Sequence, residues 1–291
     1  MDTYLKLIEE GLINFTKKYN NTEPQIIRQA AFYSLFSGGK RIRPTLLLMS
    51  YVAVNNNNHK LPMAFAVALE MLHTYSLIHD DLPAIDNDNY RRGRPTNHKV
   101  YGEAVAILAG DTLLNMAYEV IFESIADDFC KKKVDAANVI AQAAGLKGMI
   151  SGQMQDILSE KSGDITKEQL EFIHTHKTAA MIEASIVAGA ILGGATDQVV
   201  LNLKKMGTLI GLAFQIKDDI LDIEGSTKTL GKDANSDVKN NKATYVSLWG
   251  IEKSKQELNN LTHEGIKILD SLSLKTHELQ NLVLQLLERT N

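Results

Sequence analysis

This 291-residue sequence has one cysteine, five prolines and a small net charge. Each of these low values narrows the class of protein to which the chain can belong. The single cysteine, Cys130, excludes an internal disulfide framework and a four-cysteine zinc site, and it agrees with a reducing compartment such as the cytosol. The formal net charge of -4 argues against a nucleic-acid binder. With 44% hydrophobic residues, the chain can bury a large core, as one big domain or two small ones.

Targeting and membrane-spanning patterns are also missing from the sequence. The first residues lack the basic start and the apolar run of a signal peptide, and the early Glu9 and Glu10 are unlike a transit peptide. No window reaches eighteen apolar residues without a charge, so we expect no transmembrane helix. We therefore expect a cytoplasmic protein that is not a membrane protein.

Proline is absent after Pro95, which favours long helices because strand-rich folds usually need proline and glycine in many turns. The hydrophobic periodicity agrees, since apolar side chains recur every three to four residues between Leu203 and Ile223 and over residues 64–80. No strand alternation is sustained over several segments. The sequence therefore predicts an all-α fold, as a single domain over residues 1–291, with a cavity between long helices.

Two aspartate clusters interrupt these apolar helical stretches. Their members are Asp80, Asp81, Asp86, Asp218, Asp219 and Asp222. Two carboxylates about 4 Å apart repel by roughly 4 kcal/mol at an effective dielectric near 20, so converging carboxylates need a strong counter-charge. Their hard oxygen ligands suit Mg²⁺, which commonly keeps open positions for substrate phosphates. The clusters therefore predict chemistry on a phosphate or a diphosphate.

The second cluster could also be a solvated acidic patch at a helix end. Asp218 and Asp222 are four residues apart and share one helical face, with Asp219 nearby. Apolar residues surround these carboxylates in the sequence, and an exposed patch does not usually have apolar neighbours on every turn. This context favours the metal site.

The first cluster is followed by a break in the helix. Pro83 disrupts the regular backbone after Asp81, so Asp86 can fold back to bind the same metal ion as Asp80. The pair His79-Asp80 is also a dyad of metal phosphohydrolases. That alternative needs further histidine ligands, and the order and spacing of the other histidines do not form the pattern convincingly.

Basic residues complement the acidic clusters. Three cations occur within residues 38–44 (GGKRIRP), and residues 91–94 (RRGR) follow the first aspartate cluster directly. Lys177, Lys232 and Lys242 each lie near small or hydroxyl residues. Arginine can make bidentate contacts to a diphosphate, and lysine supplies a point charge. Acidic and basic clusters in an otherwise near-neutral chain favour Mg²⁺-assisted diphosphate binding over solvated surface charge.

Together these motifs resemble the trans-isoprenyl diphosphate synthase family, most closely the bacterial farnesyl diphosphate synthases. The matching segments, in chain order, are residues 38–44, 73–83, 91–96, 110–111, 152–156, 177–178, 214–219, 231–232 and 242–245. The resemblance implies an isoprenoid-synthase-type bundle of long helices around a deep central cavity. It also implies a homodimer, isoprenoid diphosphate substrates and three Mg²⁺ ions per active site, with Mn²⁺ as an alternative ion.

The same resemblance implies a role for individual residues. Metal ions are bound by Asp80 and Asp86 with support from Asp81, and by Asp218 with Asp219 and Asp222 beside it. The allylic diphosphate is bound by these ions together with Arg91, Lys177, Lys232 and, when the segment 225–242 closes as a lid, Lys242. Isopentenyl diphosphate is bound by Lys40, Arg43, His73 and Arg92. The reacting carbons are lined by Thr178 and Gln215.

The implied reaction is a prenyl transfer. Mg²⁺ and the cations stabilise pyrophosphate as the C–O bond ionises, and the double bond of isopentenyl diphosphate attacks the allylic cation. The proton is then lost to the departing pyrophosphate, since no dedicated protein base is evident. Water would quench the cation, so a closing lid is expected.

Tyr75 is predicted to set the product length. It lies five residues before Asp80, about 7.5 Å lower on a helix that rises about 1.5 Å per residue. In the resembling family, an aromatic residue there, combined with a first aspartate cluster enlarged by two residues, marks a fifteen-carbon product. The sequence therefore predicts a farnesyl diphosphate synthase, a geranyltranstransferase.

Three rival functions share part of this pattern. A geranylgeranyl diphosphate synthase would have every charged motif, but Tyr75 argues against it. A terpene cyclase normally mixes Asn, Ser and Glu in its second metal motif and would not need the pocket of Lys40 and Arg43. A non-catalytic subunit of a prenyl synthase heteromer should have lost an aspartate cluster, and both are intact here.

Overall fold

The computed structural model describes residues 2–55, 62–162, 165–224 and 244–289, and nearly all of them are helical. The predicted all-α fold is confirmed. Backbone contacts divide the chain into two compact units, residues 1–48 with 62–131 and residues 49–61 with 132–291. The single domain predicted over residues 1–291 stays a prediction.

The first unit contains the first aspartate cluster. Its elements are α1 (Asp2–Thr16), a 3₁₀ turn (Lys17–Tyr19), α2 (Gln25–Leu35), the start of α3 (Ile42–Asn55), α4 (Met63–Asp80), β1 (Tyr90–Arg91), β2 (Arg94–Pro95), α5 (Asn97–Tyr101) and α6 (Glu103–Asp127). The two short strands pair as an antiparallel hairpin. Helix α4 packs chiefly against α6 and is buried on nearly all sides, as its almost wholly apolar sequence requires.

The second unit contains the second aspartate cluster. Its elements are the end of α3, α7 (Lys131–Ala144), α8 (Met149–Ser162), α9 (Lys167–Ile173), a π-helical turn (His174–Ala179), α10 (Ala180–Gly193), α11 (Asp197–Glu224), α12 (Tyr245–Trp249), α13 (Ile251–Ser271) and α14 (His277–Glu288). Helix α11 packs against α10, α13 and the π-helical turn. Helix α10 ends at Gly193 and is capped by Gly194, whose φ of 89° is left-handed and suits glycine.

Among the described residues, two helices, α6 and α11, are long and apolar enough by composition to cross a membrane. Each packs against other helices of its own unit, α6 on α4 and α2, and α11 on α10 and α13. Core helices commonly satisfy the same criterion, so the expectation of a protein without transmembrane helices stays a prediction.

Candidate active site

The first aspartate cluster lies where α4 ends. The backbone N–H of Asp86 donates to the carbonyl of Asp80 at 2.8 Å, and Ile85 donates to Leu82 at 2.9 Å. These bonds close a tight turn after the helix, so Asp86 returns to the backbone of Asp80, as the position of Pro83 predicts. Two carboxylate-bearing residues are therefore brought together at one helix end.

Asp81, between them, is already paired within the protein. Its side chain is buried, and Nε of Arg91 donates to its Oδ1 at 2.6 Å. Burial raises the pKa of Asp81 to about 6, while the Arg91 guanidinium opposes that rise. Arg91 also bonds to Asp88 at 3.3 Å. Asp81 therefore places Arg91, the residue predicted to bind the allylic diphosphate, beside the cluster.

Arg92 lies against the glycines of the segment 38–44. Its guanidinium bonds to the Gly38 carbonyl and to Ser37. A Cβ on Gly39 would lie 2.7 Å from Cζ of Arg92, and the φ of Gly39 is +129°, so this position needs glycine. The glycines of the motif let a cation approach the backbone. Arg92 is thereby held in the first unit beside the residues predicted to bind isopentenyl diphosphate.

His73 lies within the electrostatic influence of four arginines, and Lys40 of the segment 38–44 is exposed. Burial, followed by the charges of Arg43 and Arg92, lowers the pKa of His73 well below its ordinary value. His73 is therefore neutral at physiological pH. It can offer a hydrogen bond to a diphosphate, whereas the positive charge at this position comes from Arg43 and Arg92.

Arg41, the third cation of the segment 38–44, has an internal role. It is 2% exposed, and it donates to Glu70 at 2.5 Å, to Glu9 at 2.8 Å and to the Leu35 carbonyl at 2.9 Å. Its positive φ of 46° turns the chain into α3. The basic run thus divides into one structural arginine and the two predicted substrate ligands, Lys40 and Arg43.

Tyr75 is buried within the first unit, 6% exposed. Its ring meets the imidazole of His79 edge-on, with 5.8 Å between centroids. Burial raises the pKa of Tyr75 to about 12, with smaller contributions from Tyr118 and Asp80. Tyr75 is therefore neutral and packed one and a half turns below the first aspartate cluster.

The second aspartate cluster separates into one accessible and two buried carboxylates. The Asp218 side chain is 44% exposed, whereas Asp219 and Asp222 are 2% and 3% exposed. Asp218 is paired with the guanidinium of Arg289, which also lies 4.2 Å from the ring centroid of Phe214. The pairing with Arg289 was not predicted, and nothing in the sequence near the C-terminus distinguishes this arginine.

Lys177 and Thr178 lie on the π-helical turn, a geometry often found at functional sites. Nζ of Lys177 donates to Asp156 at 2.6 Å. A Cβ on Gly152 would lie 2.2 Å from the backbone N of Lys177, so this glycine lets α8 approach the turn. Gly152 and Asp156, which belong to the matching segment 152–156 and had no predicted role, together place Lys177.

A hydrogen-bonded chain runs from Thr178 to α12. Thr178 Oγ1 donates to Gln215 Oε1 at 2.8 Å, and Gln215 Nε2 donates to Asp219 Oδ1 at 3.1 Å. The backbone N–H of Tyr245 donates to the other Asp219 oxygen, Oδ2, at 2.8 Å. The ring of Tyr245 lies 5.1 Å from that of His174. The chain joins both predicted reacting-carbon residues to the middle of the second cluster.

Two predicted ligands, Lys232 and Lys242, and the predicted lid at 225–242 lie outside the described residues.

A sequence model of the polyprenyl synthetase family matches residues 24–278. The chain belongs to the polyprenyl synthetase family. It is 45% identical to the farnesyl diphosphate synthase of Micrococcus luteus, over 98% of this chain and 96% of that protein. It is 48% identical to the chloroplastic geranylgeranyl pyrophosphate synthase of Capsicum annuum, over 86% of this chain and 68% of that protein.

Among solved structures, this polyprenyl synthetase is similar to a geranyltransferase from Helicobacter pylori complexed with magnesium and isoprenyl diphosphate. The TM-score is 0.79 at 32% identity, covering 98% of this chain and 96% of that chain. The predicted family and the predicted prenyltransferase activity are confirmed. The residue roles stay predictions.

The donor set of this polyprenyl synthetase fits Mg²⁺ bound jointly with a substrate. Within residues 2–55, 62–162, 165–224 and 244–289, no group of three His, Cys, Asp or Glu side chains is arranged to hold a metal ion by itself. Protein sites for Mg²⁺ usually supply one or two carboxylates and leave the remaining positions to water and phosphate oxygens. Asp80 with Asp86 in the first unit, and Asp218 separately in the second unit, each supply carboxylate oxygens of this kind.

Proposed function

We propose that this polyprenyl synthetase is a farnesyl diphosphate synthase. It condenses isopentenyl diphosphate head-to-tail with dimethylallyl or geranyl diphosphate and releases (2E,6E)-farnesyl diphosphate and pyrophosphate. The observation that supports a fifteen-carbon product is the position of Tyr75, which is buried on α4 below the first aspartate cluster. The identity to the M. luteus farnesyl diphosphate synthase over almost the whole chain supports the same product.

The metal requirement is part of this proposal. Asp80 and Asp86, supported by Asp81, and Asp218, with Asp219 and Asp222 beside it, would hold three Mg²⁺ ions together with the allylic diphosphate. The chemistry that bound Mg²⁺ supplies is stabilisation of negative charge on the departing pyrophosphate. The magnesium of the H. pylori geranyltransferase structure supports this requirement.

The protein's own residues orient the two diphosphates. Arg91 and Lys177, each positioned by a carboxylate at 2.6 Å, bind the allylic diphosphate together with Lys232 and Lys242. Lys40, Arg43, the neutral His73 and Arg92 bind isopentenyl diphosphate. Thr178 and Gln215 face the reacting carbons and stabilise the allylic cation, while the departing pyrophosphate accepts the proton.

We also propose a cytoplasmic homodimer. Four apolar side chains recur every four residues along α8 and the turn before it, and all are about half exposed or more: Leu146, Ile150, Met154 and Leu158. An exposed apolar stripe of this kind is typical of a protein–protein contact. A second copy of the chain is the partner that the family resemblance implies.

The main alternative is a geranylgeranyl diphosphate synthase, which the 48% identity to the Capsicum enzyme favours. One assay separates the candidates: purified protein, Mg²⁺ and isopentenyl diphosphate with dimethylallyl or geranyl diphosphate, followed by chromatography of the dephosphorylated products. A fifteen-carbon alcohol as the main product supports the proposal. A twenty-carbon main product supports the alternative. No product from the pure chain would indicate a non-catalytic subunit.

A further inference from the structure

We propose that Asp219 is a positioning residue that fixes the direction of the hydrogen-bonded chain ending at Thr178. This inference rests on the function proposed above, in which Thr178 and Gln215 face the reacting carbons. The consequence is that the Thr178 oxygen presents only lone pairs to the allylic cation. Asp219 then lies beside the proposed metal ligand Asp218 without binding the ion itself, and its carboxylate acts through Gln215 and Thr178.

The first step concerns two of the hydrogen bonds that the Asp219 carboxylate accepts. A carboxylate accepts hydrogen bonds and donates none. Asp219 is 2% exposed, and its Oδ2 accepts the backbone N–H of Tyr245 at 2.8 Å. A backbone N–H can only donate, so this bond fixes the carboxylate in one orientation. The remaining oxygen, Oδ1, faces the side-chain amide of Gln215 at 3.1 Å.

The second step is the orientation of the Gln215 amide. Side-chain amide oxygen and nitrogen atoms are assigned from their hydrogen-bond partners. Turning this amide round would place its carbonyl oxygen against Oδ1 of Asp219, which sets two acceptors against each other in a buried site. The amide nitrogen must therefore face Asp219, and the carbonyl oxygen Oε1 must face Thr178, which lies 2.8 Å away.

The third step is the position of the Thr178 proton. Because Gln215 Oε1 can only accept, the hydroxyl of Thr178 must donate its proton to that oxygen. After this donation the Thr178 Oγ1 atom has only its two lone pairs left, and these carry partial negative charge. Preorganised dipoles aimed at developing charge lower the barrier without reorganising during the reaction. Thr178 therefore stabilises positive charge on the allylic carbons and offers them no proton.

The substitution Asp219→Asn tests this assignment because it reverses the chain with almost no change in shape. The Tyr245 N–H still needs an acceptor, so the oxygen of the introduced amide stays with Tyr245 and its nitrogen turns toward Gln215. Gln215 must then turn its carbonyl to that nitrogen and donate to Thr178. The Thr178 proton is thereby released toward the reacting carbons. We expect kcat to fall roughly 100-fold, the scale found when one preorganised dipole is lost.

A second variant restores the direction. When Asp219→Asn is combined with Gln215→Glu, the introduced amide donates to one oxygen of the introduced carboxylate, and the other oxygen of that carboxylate accepts from Thr178. The net charge equals that of the wild type. We expect kcat of the double variant to recover at least tenfold over Asp219→Asn, and Gln215→Glu alone to be impaired because it places two carboxylates side by side.

Binding measurements separate this role from metal binding. Titration with Mn²⁺, followed by electron paramagnetic resonance in the presence of pyrophosphate, should give the same affinity for wild type and Asp219→Asn, and KM for both substrates should change less than about threefold. A large loss of Mn²⁺ affinity would instead make Asp219 a metal ligand. A double variant that folds, as judged by circular dichroism and Tm, but stays as slow as Asp219→Asn would also overturn the proposal.

The product that the wild type forms separates a failure of the farnesyl assignment from a failure of the role proposed for Asp219. If the wild type forms mainly a twenty-carbon product, the farnesyl assignment fails, yet the comparison of the three variants still tests the direction of the chain on that product. If the wild type forms farnesyl diphosphate and the double variant does not recover, only the role of Asp219 fails.

Discussion

The imidazole of His79 fills the space directly beside Gly110. A Cβ placed on Gly110 would lie 2.1 Å from Nε2 of His79, and the same nitrogen donates to the carbonyl of Ile107 at 3.0 Å. The imidazole also makes an edge-to-face contact with the Tyr75 ring. The packing of α4 on α6 at this point thus depends on a histidine and a glycine, and the histidine in turn contacts Tyr75, the residue predicted to limit the product length.

Gly110→Ala should therefore displace His79 and destabilise the protein. We expect a loss of about 1–3 kcal/mol in the free energy of unfolding, the usual cost of overpacking, measured by urea denaturation. The double variant His79→Ala with Gly110→Ala supplies the control, because the smaller side chain at 79 leaves room for the new methyl group. If the loss in the double variant equalled the sum of the losses in the two single variants, direct contact between the two residues would be contradicted.

Tyr75→Ala should lengthen the product. Removing the buried ring leaves space below the first aspartate cluster, so a fifteen-carbon chain can be extended by a further isoprene unit. We expect twenty-carbon and longer products by chromatography. Tyr75→Phe keeps the ring and should still give mainly the fifteen-carbon product. An unchanged fifteen-carbon limit in Tyr75→Ala would remove Tyr75 from the role of length determinant.

Local patterns in the sequence are enough to predict the helices and the turn after α4. The absence of proline after Pro95 and the three-to-four-residue periodicity both arise within single helices, and the return of Asp86 to Asp80 depends on a few neighbouring residues. The broad assignment of charged motifs to a diphosphate chemistry needs only residue types and spacing.

Contacts between distant segments could not be predicted from spacing. Arg41 belongs to a basic run, but its guanidinium is neutralised internally by Glu70 on α4, 29 residues further along the chain. Asp219 follows an accessible carboxylate, yet a backbone N–H from α12 binds it. Such partners are decided by tertiary packing, so one sequence shows the charges without showing which are already neutralised.

Arg41→Met should be strongly destabilising because it leaves the carboxylate of Glu70 buried without its partner. Removing one partner of a buried ion pair typically costs about 3–5 kcal/mol. Replacing both Arg41 and Glu70 by methionine should recover much of that loss. Lys204→Met, which removes an exposed partner of Glu183, is the matched surface control and should change the unfolding free energy by less than about 1 kcal/mol. Equal losses at the two sites would contradict the internal role of Arg41.

Asp156→Asn should weaken binding of the allylic substrate. Lys177 donates to Asp156 at 2.6 Å in a largely buried position, and without that carboxylate the ammonium loses its fixed orientation. We expect KM for geranyl diphosphate to rise on the order of tenfold, equivalent to about 1.4 kcal/mol, with KM for isopentenyl diphosphate unchanged. Glu171→Gln, which removes the exposed partner of Lys167, should leave both constants unchanged. An equal rise in both constants for Asp156→Asn would indicate a general structural effect.

The buried His174 should make the protein less stable in acid. Burial lowers the pKa of His174 to about 3, and Lys177 adds to the lowering while Asp156 opposes it. The Asp219 carboxylate lies 3.9 Å away, and Nδ1 has no hydrogen-bond partner among the described residues. The folded protein therefore keeps this imidazole neutral at pH values where the unfolded chain protonates it.

Above the unfolded-state pKa of about 6.5, His174 is neutral in both the folded and the unfolded protein and does not lower the stability. As the pH falls from there toward 3, only the unfolded chain binds the proton, so the free energy of unfolding decreases. At about pH 5 the loss is roughly 2 kcal/mol. His174→Gln removes this dependence, so its unfolding free energy should fall less than that of the wild type between roughly pH 7.5 and pH 5. His263→Gln, at an exposed position on α13, should retain the wild-type dependence. Identical pH profiles for wild type and His174→Gln would show that His174 is charged, or equally accessible, in the folded protein.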